Sequence, residues 1–388
     1  MARQHRLLSL HWELTYRCNE VCTHCYLDVF KPNARIAGEL TLAQGQHLLD
    51  EAASMGALNI TFSGGEALVH QEFFALAAYA RRKRFAVRLM SNGLLINEHN
   101  ADRIAQLKTT GVEISLYGAD PETHDAITRR RRSWELTTRA FRLLRERGIH
   151  TIMKTPLMHD NVRQVHALRQ LASELGATFR YDTSLTAKDN GDHAPLRHEM
   201  TAEDLAWLLR QEIPADVEPP APIGEAHRSC SIGMHSLVVD PYGNVYPCIQ
   251  ARIPAGNVLD RPLAQVWQSA VFADTSSLTF DELPVCRTCE LNMICMRCHA
   301  TALESTGDMH APSPANCREA LVRREVLIEK GALPADYPIP AHLRHGIPDS
   351  LLGIPAMPVA RSLPASSFVP LDSLATRHAA PLPVMAPA

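Results

Sequence analysis

The sequence predicts an α/β protein: a partial barrel of six parallel strands followed by a small cysteine-rich domain. Three observations carry this. Strand-like and helix-like runs alternate strictly up to about residue 182. The ten cysteines fall into two groups, at 18–25 and 230–317, with none between 26 and 229. The unusual polar motifs sit where successive strands end.

The first strand is read in "LLSLHWEL", just ahead of the first cysteines. "TLAQGQHLLDEAASMG" has apolar residues at helical spacing and stops at Gly56. "ALNITF" is a second strand and "HQEFFALAAYARRKR" a helix. "FAVRLM" and "VEISLY" are strands three and four, separated by "NEHNADRIAQLKTTG". "SWELTTRAFRLLRERG" is a helix closed by Gly148. "IHTIMKT", "NVRQVHALRQLASELG" and "ATFRYD" complete the series as strand, helix and strand. Such alternation demands right-handed crossovers and so parallel strands. Six strands are too few to close an eight-fold barrel and form part of one. Chemistry in such sheets collects at the carboxyl ends of the strands. There lie the cysteine trio, "SGGE" (Ser63–Glu66), "SNG" (Ser91–Gly93) and "SLYG" (Ser115–Gly118), which describes one shared pocket.

The barrel is assigned to residues 1–182 and a bridging segment to 183–229, with one helix ("TAEDLAWLLRQE") and the proline-rich "PADVEPPAPIGE". The cysteine-rich domain covers 230–330 and opens with a hairpin turning at Pro241–Asn244. Residues 331–388 carry 11 of the 26 prolines and are expected to form an extended, mostly disordered tail.

At 388 residues the chain is long enough for two domains. Apolar residues make up 46% and charged residues 21%, as in ordinary soluble proteins. A net charge of −3 gives no field that would draw nucleic acid or a membrane surface. "MARQHRLLSLHWEL" lacks a signal-peptide core. No run reaches the roughly 18 apolar residues of a membrane span. The chain reads as cytoplasmic, where cysteines serve as thiols or metal ligands rather than disulfides.

A structural zinc ion takes four ligands, whereas "CNEVCTHC" offers three, Cys18, Cys22 and Cys25. On a four-iron cluster, three thiolates leave one iron open to a small ligand. Glycines after the second strand let backbone approach that ligand closely. Glu66 adds an acceptor for an ammonium or hydroxyl group. A zinc site completed by His24 or a distant residue is the plain alternative, and the strand-end motifs weigh against it. Taken alone, "SGGE" would be a turn and "SNG" a helix cap. "RRRR" (Arg129–Arg132) reads first as a solvated helix start and second as a carboxylate partner. Lys154, Tyr117 and Tyr181 lie near strand ends, facing either the pocket or the packing. In the second group, Cys286, Cys289, Cys295 and Cys298 alone would make a fair zinc ribbon.

The C-x3-C-x2-C spacing, with "SGGE", "SNG" and "SLYG" in that order, resembles the radical S-adenosylmethionine (SAM) superfamily over residues 8–182. The fold implied is a TIM-like partial (β/α)6 barrel. The resemblance implies that Cys18, Cys22 and Cys25 hold a 4Fe–4S cluster whose open iron chelates SAM. Gly64, Gly65 and Glu66 would meet the SAM amino group. Ser91, Asn92 and Ser115 would hold its ribose or methionyl part, and His24 would lie against adenine. Ala67 stands where family members usually have proline. The implied chemistry is reductive cleavage of SAM to a 5′-deoxyadenosyl radical, which then removes hydrogen from an unactivated C–H bond.

Residues 230–325 resemble the SPASM extension of that family, which usually holds two auxiliary 4Fe–4S clusters. By position, Cys286, Cys289, Cys295 and Cys317 would form the outer cluster. Cys230, Cys248 and Cys298 would form the inner one, its fourth site open, water-bound or filled by a residue such as Glu225 or His227. The last cysteine spacing is x2 here, where the family usually has x3. SPASM enzymes mostly act on peptides. The resemblance therefore implies an oxidase that crosslinks a ribosomally made precursor peptide. With only about ten residues ahead of the first strand, a separate leader-binding protein is expected. So is an electron donor such as flavodoxin or ferredoxin. Ile249 follows Cys248 where sulfatase-activating relatives carry Asp, which argues against that role. The alternatives are a radical SAM enzyme acting on a small molecule and a non-catalytic iron–sulfur electron-transfer scaffold.

Overall fold

A computed structural model of the protein describes residues 5–221 and 227–343. Its first strand, β1 (Ser9–Glu13), divides its side chains between two environments. Leu10 and Trp12 are buried among helices, while His11 and Glu13 take the opposite face. The same alternation runs through β2 (Asn59–Ser63), β3 (Ala86–Ser91), β4 (Gly111–Ser115), β5 (Thr151–Pro156) and β6 (Thr178–Asp182). Parallel strands covered on both faces are normally apolar on both. Here Ile60, Phe62, Val87, Leu89, Val112, Ile114 and Met153 line the core. Thr61, Arg88, Glu113, Lys154 and Arg180 alternate with them, so the concave face is a polar lumen rather than a second core.

Between the strands run α1 (Leu42–Ser54), α2 (Phe73–Arg82), α3 (Glu98–Leu107), α4 (Pro121–Thr128), α5 (Ser133–Glu146) and α6 (Val165–Leu175). Local chemistry sets their starts. Thr41 and Gln44 form a capping box on α1, Asn97 caps α3, and Asp120 caps α4 ahead of Pro121. α4 has no counterpart among the elements expected from sequence, where "RRRR" was to open a helix. Instead Arg129 and Arg132 take left-handed φ values of 54° and 65° in the corner between α4 and α5. The reason lies in Asp125. Its carboxylate accepts from Ser133 Oγ at 2.8 Å and Trp134 N at 2.9 Å, so the preceding helix caps α5.

After β6 the chain enters α7 (Ala202–Glu212), opened by a Thr201–Asp204 capping box. The expected hairpin follows as β7 (Ser236–Val239) and β8 (Asn244–Tyr246), with β9 (Gly256–Asn257) beside it. It does not stand apart from the barrel. β7 pairs parallel with β1, Leu237 opposite Leu10, giving one nine-stranded sheet ordered β6-β5-β4-β3-β2-β1-β7-β8-β9. The open edge of β1 is thereby covered.

The remaining helices are α8 (Leu263–Trp267), α9 (Ala270–Ser277), α10 (His299–Thr306) and α11 (Pro314–Glu329). α11 returns to α7, where Arg210 donates two 2.7 Å hydrogen bonds to the Glu329 carboxylate. Residues 331–343, assigned from sequence to the extended tail, pack onto this part instead. Leu333 and Leu343 are buried, and the Tyr337 hydroxyl donates to the Glu290 carbonyl at 2.7 Å. The apolar side chains of that stretch outweigh its prolines. The rest of the expected tail lies outside the described residues, as does Glu225. Among the described residues no helix is long and apolar enough to cross a membrane.

Candidate functional site

The first three cysteines sit on a loop leaving the carboxyl end of β1. Backbone bonds fix both of its flanks: Cys18 N donates to Phe30 O at 2.8 Å and Phe30 N to Tyr16 O at 2.9 Å. Its middle rests on the end of α4, where Thr128 O and Ile127 O accept from Val21 N (3.3 Å) and Thr23 N (2.9 Å). The loop thus satisfies carbonyls that a helix end leaves open.

Burial pushes the Cys22 and Cys18 thiols well up and Cys25 to about 11, and nearby acids and thiols add to the effect. Glu20, between them, is pushed to about 8 by burial and by Glu66, and its Oε1 is buried without a partner. Such a pocket holds thiolates only if a cation enters with them. Among the described residues no three His, Cys, Asp or Glu side chains converge on one ion-sized point. Three free thiols gathered on one desolvated loop fit a polynuclear iron centre, whose thiolates bind different irons.

The motif after β2 closes onto this loop. Gly65 N donates to Thr15 O at 2.8 Å and Glu66 N to Arg17 O at 3.0 Å. Gly64 has φ +126°, and a Cβ there would fall 2.3 Å from Thr15 O. A Cβ on Gly65 would fall 2.6 Å from Arg17 O. The two glycines thus let the end of β2 pack directly on the backbone leaving β1, where any side chain would collide. We expect Gly65→Ala to push the β2 end off the cysteine loop, costing about 1–3 kcal/mol of stability. Thermal unfolding of the variant against wild type measures that loss.

Glu66 is buried and spans two strand ends. Its Oε1 accepts from Ser91 Oγ at 2.9 Å and Leu68 N at 3.0 Å, and its Oε2 from Asn92 N at 2.8 Å. Burial still raises its carboxyl above the usual range despite these bonds. Asn92 Nδ2 donates to Asn19 Oδ1 at 2.6 Å and stands 3.9 Å from Cys18 Sγ. The β2 motif, the β3 motif and the cysteine loop thus meet through Glu66 and Asn92. Arg130, from the arginine run, also reaches in, its Nη1 donating to Asn19 O at 2.7 Å.

His24 has a buried Nδ1 without a partner, and burial lowers its pKa to about 4, so the ring is neutral. The Tyr117 ring meets it edge-on at 4.5 Å, and His124 stacks behind Tyr117 at 5.6 Å. Ser115 ends β4 half-buried, in register with Lys154 of β5. Tyr181 does not face the pocket: it packs on the helix side, its hydroxyl 3.1 Å from Glu212 Oε2.

One part of the site escaped the sequence analysis. Glu13, fully buried at the end of β1, pairs with Arg252 Nη2 at 2.7 Å. Tyr26 OH donates to Glu13 Oε1 at 2.7 Å and Tyr16 OH to its Oε2 at 3.2 Å. Tyr26 follows Cys25 and Arg252 lies four residues after Cys248, so this network ties the two cysteine regions together. Its only sequence signal was an acid within the apolar run "LHWEL".

The later cysteines form two groups. Cys286, Cys289, Cys295 and Cys317 line one cavity together with Phe280, Leu291 and Arg297. Cys230, Cys248 and Cys298 lie near one another, and each thiol of the latter two disfavours the charge on Cys230. Cys298, at the unusual x2 spacing, stands beside Gln250, its Sγ 3.7 Å from Oε1. His227 turns its ring toward Phe280, with centroids 5.6 Å apart. Four thiols around one cavity fit a cluster, and three beside an amide fit one with an incomplete cysteine shell.

Residues 12–172 match the profile of the Radical SAM superfamily, and residues 230–290 match that of the SPASM iron-sulfur cluster-binding domain. The chain is 32% identical to the mycofactocin maturase MftC of Mycobacterium ulcerans over 280 residues, 68% of this chain and 75% of that protein. It is 26% identical to the AdoMet-dependent heme synthase of Methanosarcina barkeri over 346 residues, 81% of this chain and 97% of that protein. Its fold matches the crystal structure of Streptococcus suis SuiB bound to the precursor peptide SuiA with a TM-score of 0.61. That match has 16% identity and covers 80% of this chain and 75% of SuiB.

Proposed function

The chain belongs to the radical SAM superfamily, with a SPASM iron–sulfur domain, and from that premise we propose that it is an oxidase that crosslinks a ribosomally made precursor peptide. The observation that carries the peptide assignment is the 32% identity to a mycofactocin maturase across 68% of the chain. When bound, a 4Fe–4S cluster with SAM would supply reductive radical chemistry at an unactivated C–H bond.

The chain's own residues do the rest. Cys18, Cys22 and Cys25 hold the cluster. Gly64 and Gly65 bring backbone against the methionyl end of SAM, and Glu66 accepts from its amino group while keeping Ser91 and Asn92 in place. Ser91, Asn92 and Ser115 hold the remaining polar atoms. The neutral His24 ring, backed by Tyr117, offers adenine an uncharged surface and excludes water. Cys286, Cys289, Cys295 and Cys317 hold an outer auxiliary cluster, and Cys230, Cys248 and Cys298 an inner one. These give an electron leaving the oxidised peptide a way out. A separate leader-binding protein and a flavodoxin or ferredoxin complete the system in the reducing cytoplasm.

Anaerobically reconstituted protein with a reductant should convert SAM to 5′-deoxyadenosine. Co-expression with a precursor peptide should give a product short of two hydrogens per modification by mass spectrometry. A second reading, action on a small molecule, is favoured by the heme synthase match, which covers 97% of that protein. In that case SAM is consumed and the peptide comes back unchanged.

A further inference from the structure

Two arginines are buried among the described residues, Arg297 and Arg324. Arg324 is paired with Glu325, whereas among the described residues Arg297 has no carboxylate within ion-pair distance, Asp308 feeling its charge only at longer range. Its Nη1 donates to Ala311 O at 2.8 Å and lies 3.5 Å from Cys286 Sγ. Its Nη2 donates to Met309 O at 2.5 Å, and its Nε is buried with no partner. A guanidinium held this way cannot turn to solvent. A lone charge in such a place is costly unless an anion joins it.

The position says which anion. Arg297 lines the cavity bounded by Cys286, Cys289, Cys295 and Cys317. Along the chain it stands between Cys295 and Cys298, members of the two different cysteine groups. Its Nη1 lies 3.5 Å from Cys286 of the first group, and its backbone runs directly into Cys298 of the second. A four-iron cluster ligated by thiolates is anionic and becomes more so on reduction. A fixed cation beside it favours the reduced form, and hydrogen bonds to its sulfurs act in the same direction.

We propose that Arg297 is a positive charge shared by the two auxiliary cluster sites, which raises their reduction potentials so that they accept the electron leaving the oxidised substrate. This rests on the two-cluster reading given above. Arg297 is a positioning residue for charge and touches no substrate. The full chain, reconstituted anaerobically, is compared as wild type, R297Q and R297K in an EPR-monitored redox titration. The N-terminal cluster serves as internal reference. R297Q retains amide donors without the charge, and R297K retains the charge without the fork.

Iron and sulfide contents should match wild type in both variants. The auxiliary midpoint should shift to lower potential in R297Q, stay near wild type in R297K, and leave the N-terminal midpoint unmoved. An unshifted R297Q, or equal shifts in the two variants, overturns the proposal. So does an R297Q protein that has lost auxiliary iron, since the residue is then a scaffold. In each of those cases SAM cleavage and the family chemistry stand. Wild-type protein with iron at the N-terminal site alone would instead remove the two-cluster reading itself.

Discussion

Replacing Cys22 with alanine should abolish 5′-deoxyadenosine formation and remove about four irons per chain. The geometry makes this a clean deletion. The amides on either side of Cys22, those of Val21 and Thr23, are bonded to the end of α4. The loop therefore keeps its course when the thiol goes. Far-UV circular dichroism should be unchanged, and the auxiliary EPR signals should remain. Removing the thiol deletes one of the three proposed ligands in a desolvated pocket that offers no fourth cysteine among its neighbours. SAM turnover persisting at wild-type iron content would show that the cluster sits elsewhere.

The second large effect concerns the buried Glu13–Arg252 pair. Arg252→Met should destabilise the protein by about 3–5 kcal/mol, because it leaves the Glu13 carboxylate buried and unpaired. Burial alone would raise the Glu13 pKa, but Arg252, helped by His11 and Tyr26, outweighs it and holds the carboxyl below its usual range. That stabilisation is present above the ordinary carboxylate range and is lost as pH falls through the depressed value. In the variant the unpaired carboxylate titrates above its unfolded value. The deficit should then be largest near neutral pH and shrink on acidification, as followed by thermal unfolding across a pH series. Adding Glu13→Gln to Arg252→Met should recover much of the loss. A double variant no more stable than the single one would mean that Arg252 acts through packing on the Tyr26 and Tyr246 rings, which lie 5.7 and 5.2 Å away.

The barrel was readable because its signals are local. Apolar runs in β1 to β6 give the strands, and Thr41, Asn97 and Thr201 cap helices where expected of their side chains. The site was readable for the same reason: Cys18 to Cys25, Ser63 to Glu66 and Ser91 to Gly93 are short motifs at strand ends. What sequence could not give was long-range. The pairing of β7 with β1 joins residues more than two hundred positions apart, and nothing in "HSLVVD" names its partner. Glu13 and Arg252 are unremarkable singly and acquire meaning only when brought within 2.7 Å. α4 was lost because "PETHDAIT" is short and polar, with its apolar face reduced to Ile127 and neighbours.

The ladder from β6 through β1 into β9 has a kinetic corollary. Electron tunnelling is steeply sensitive to separation, and a hinge between carriers would make transfer wait on diffusion of one half toward the other. Here the first thiolate loop leaves β1, while Cys248 lies two residues beyond β8, on the same hydrogen-bonded framework. On the ligand assignment proposed above, the spacing between the N-terminal and inner cluster sites is thus built in when the chain folds. Transfer between them should be insensitive to solvent viscosity, leaving substrate entry and product exit as the steps that viscosity slows.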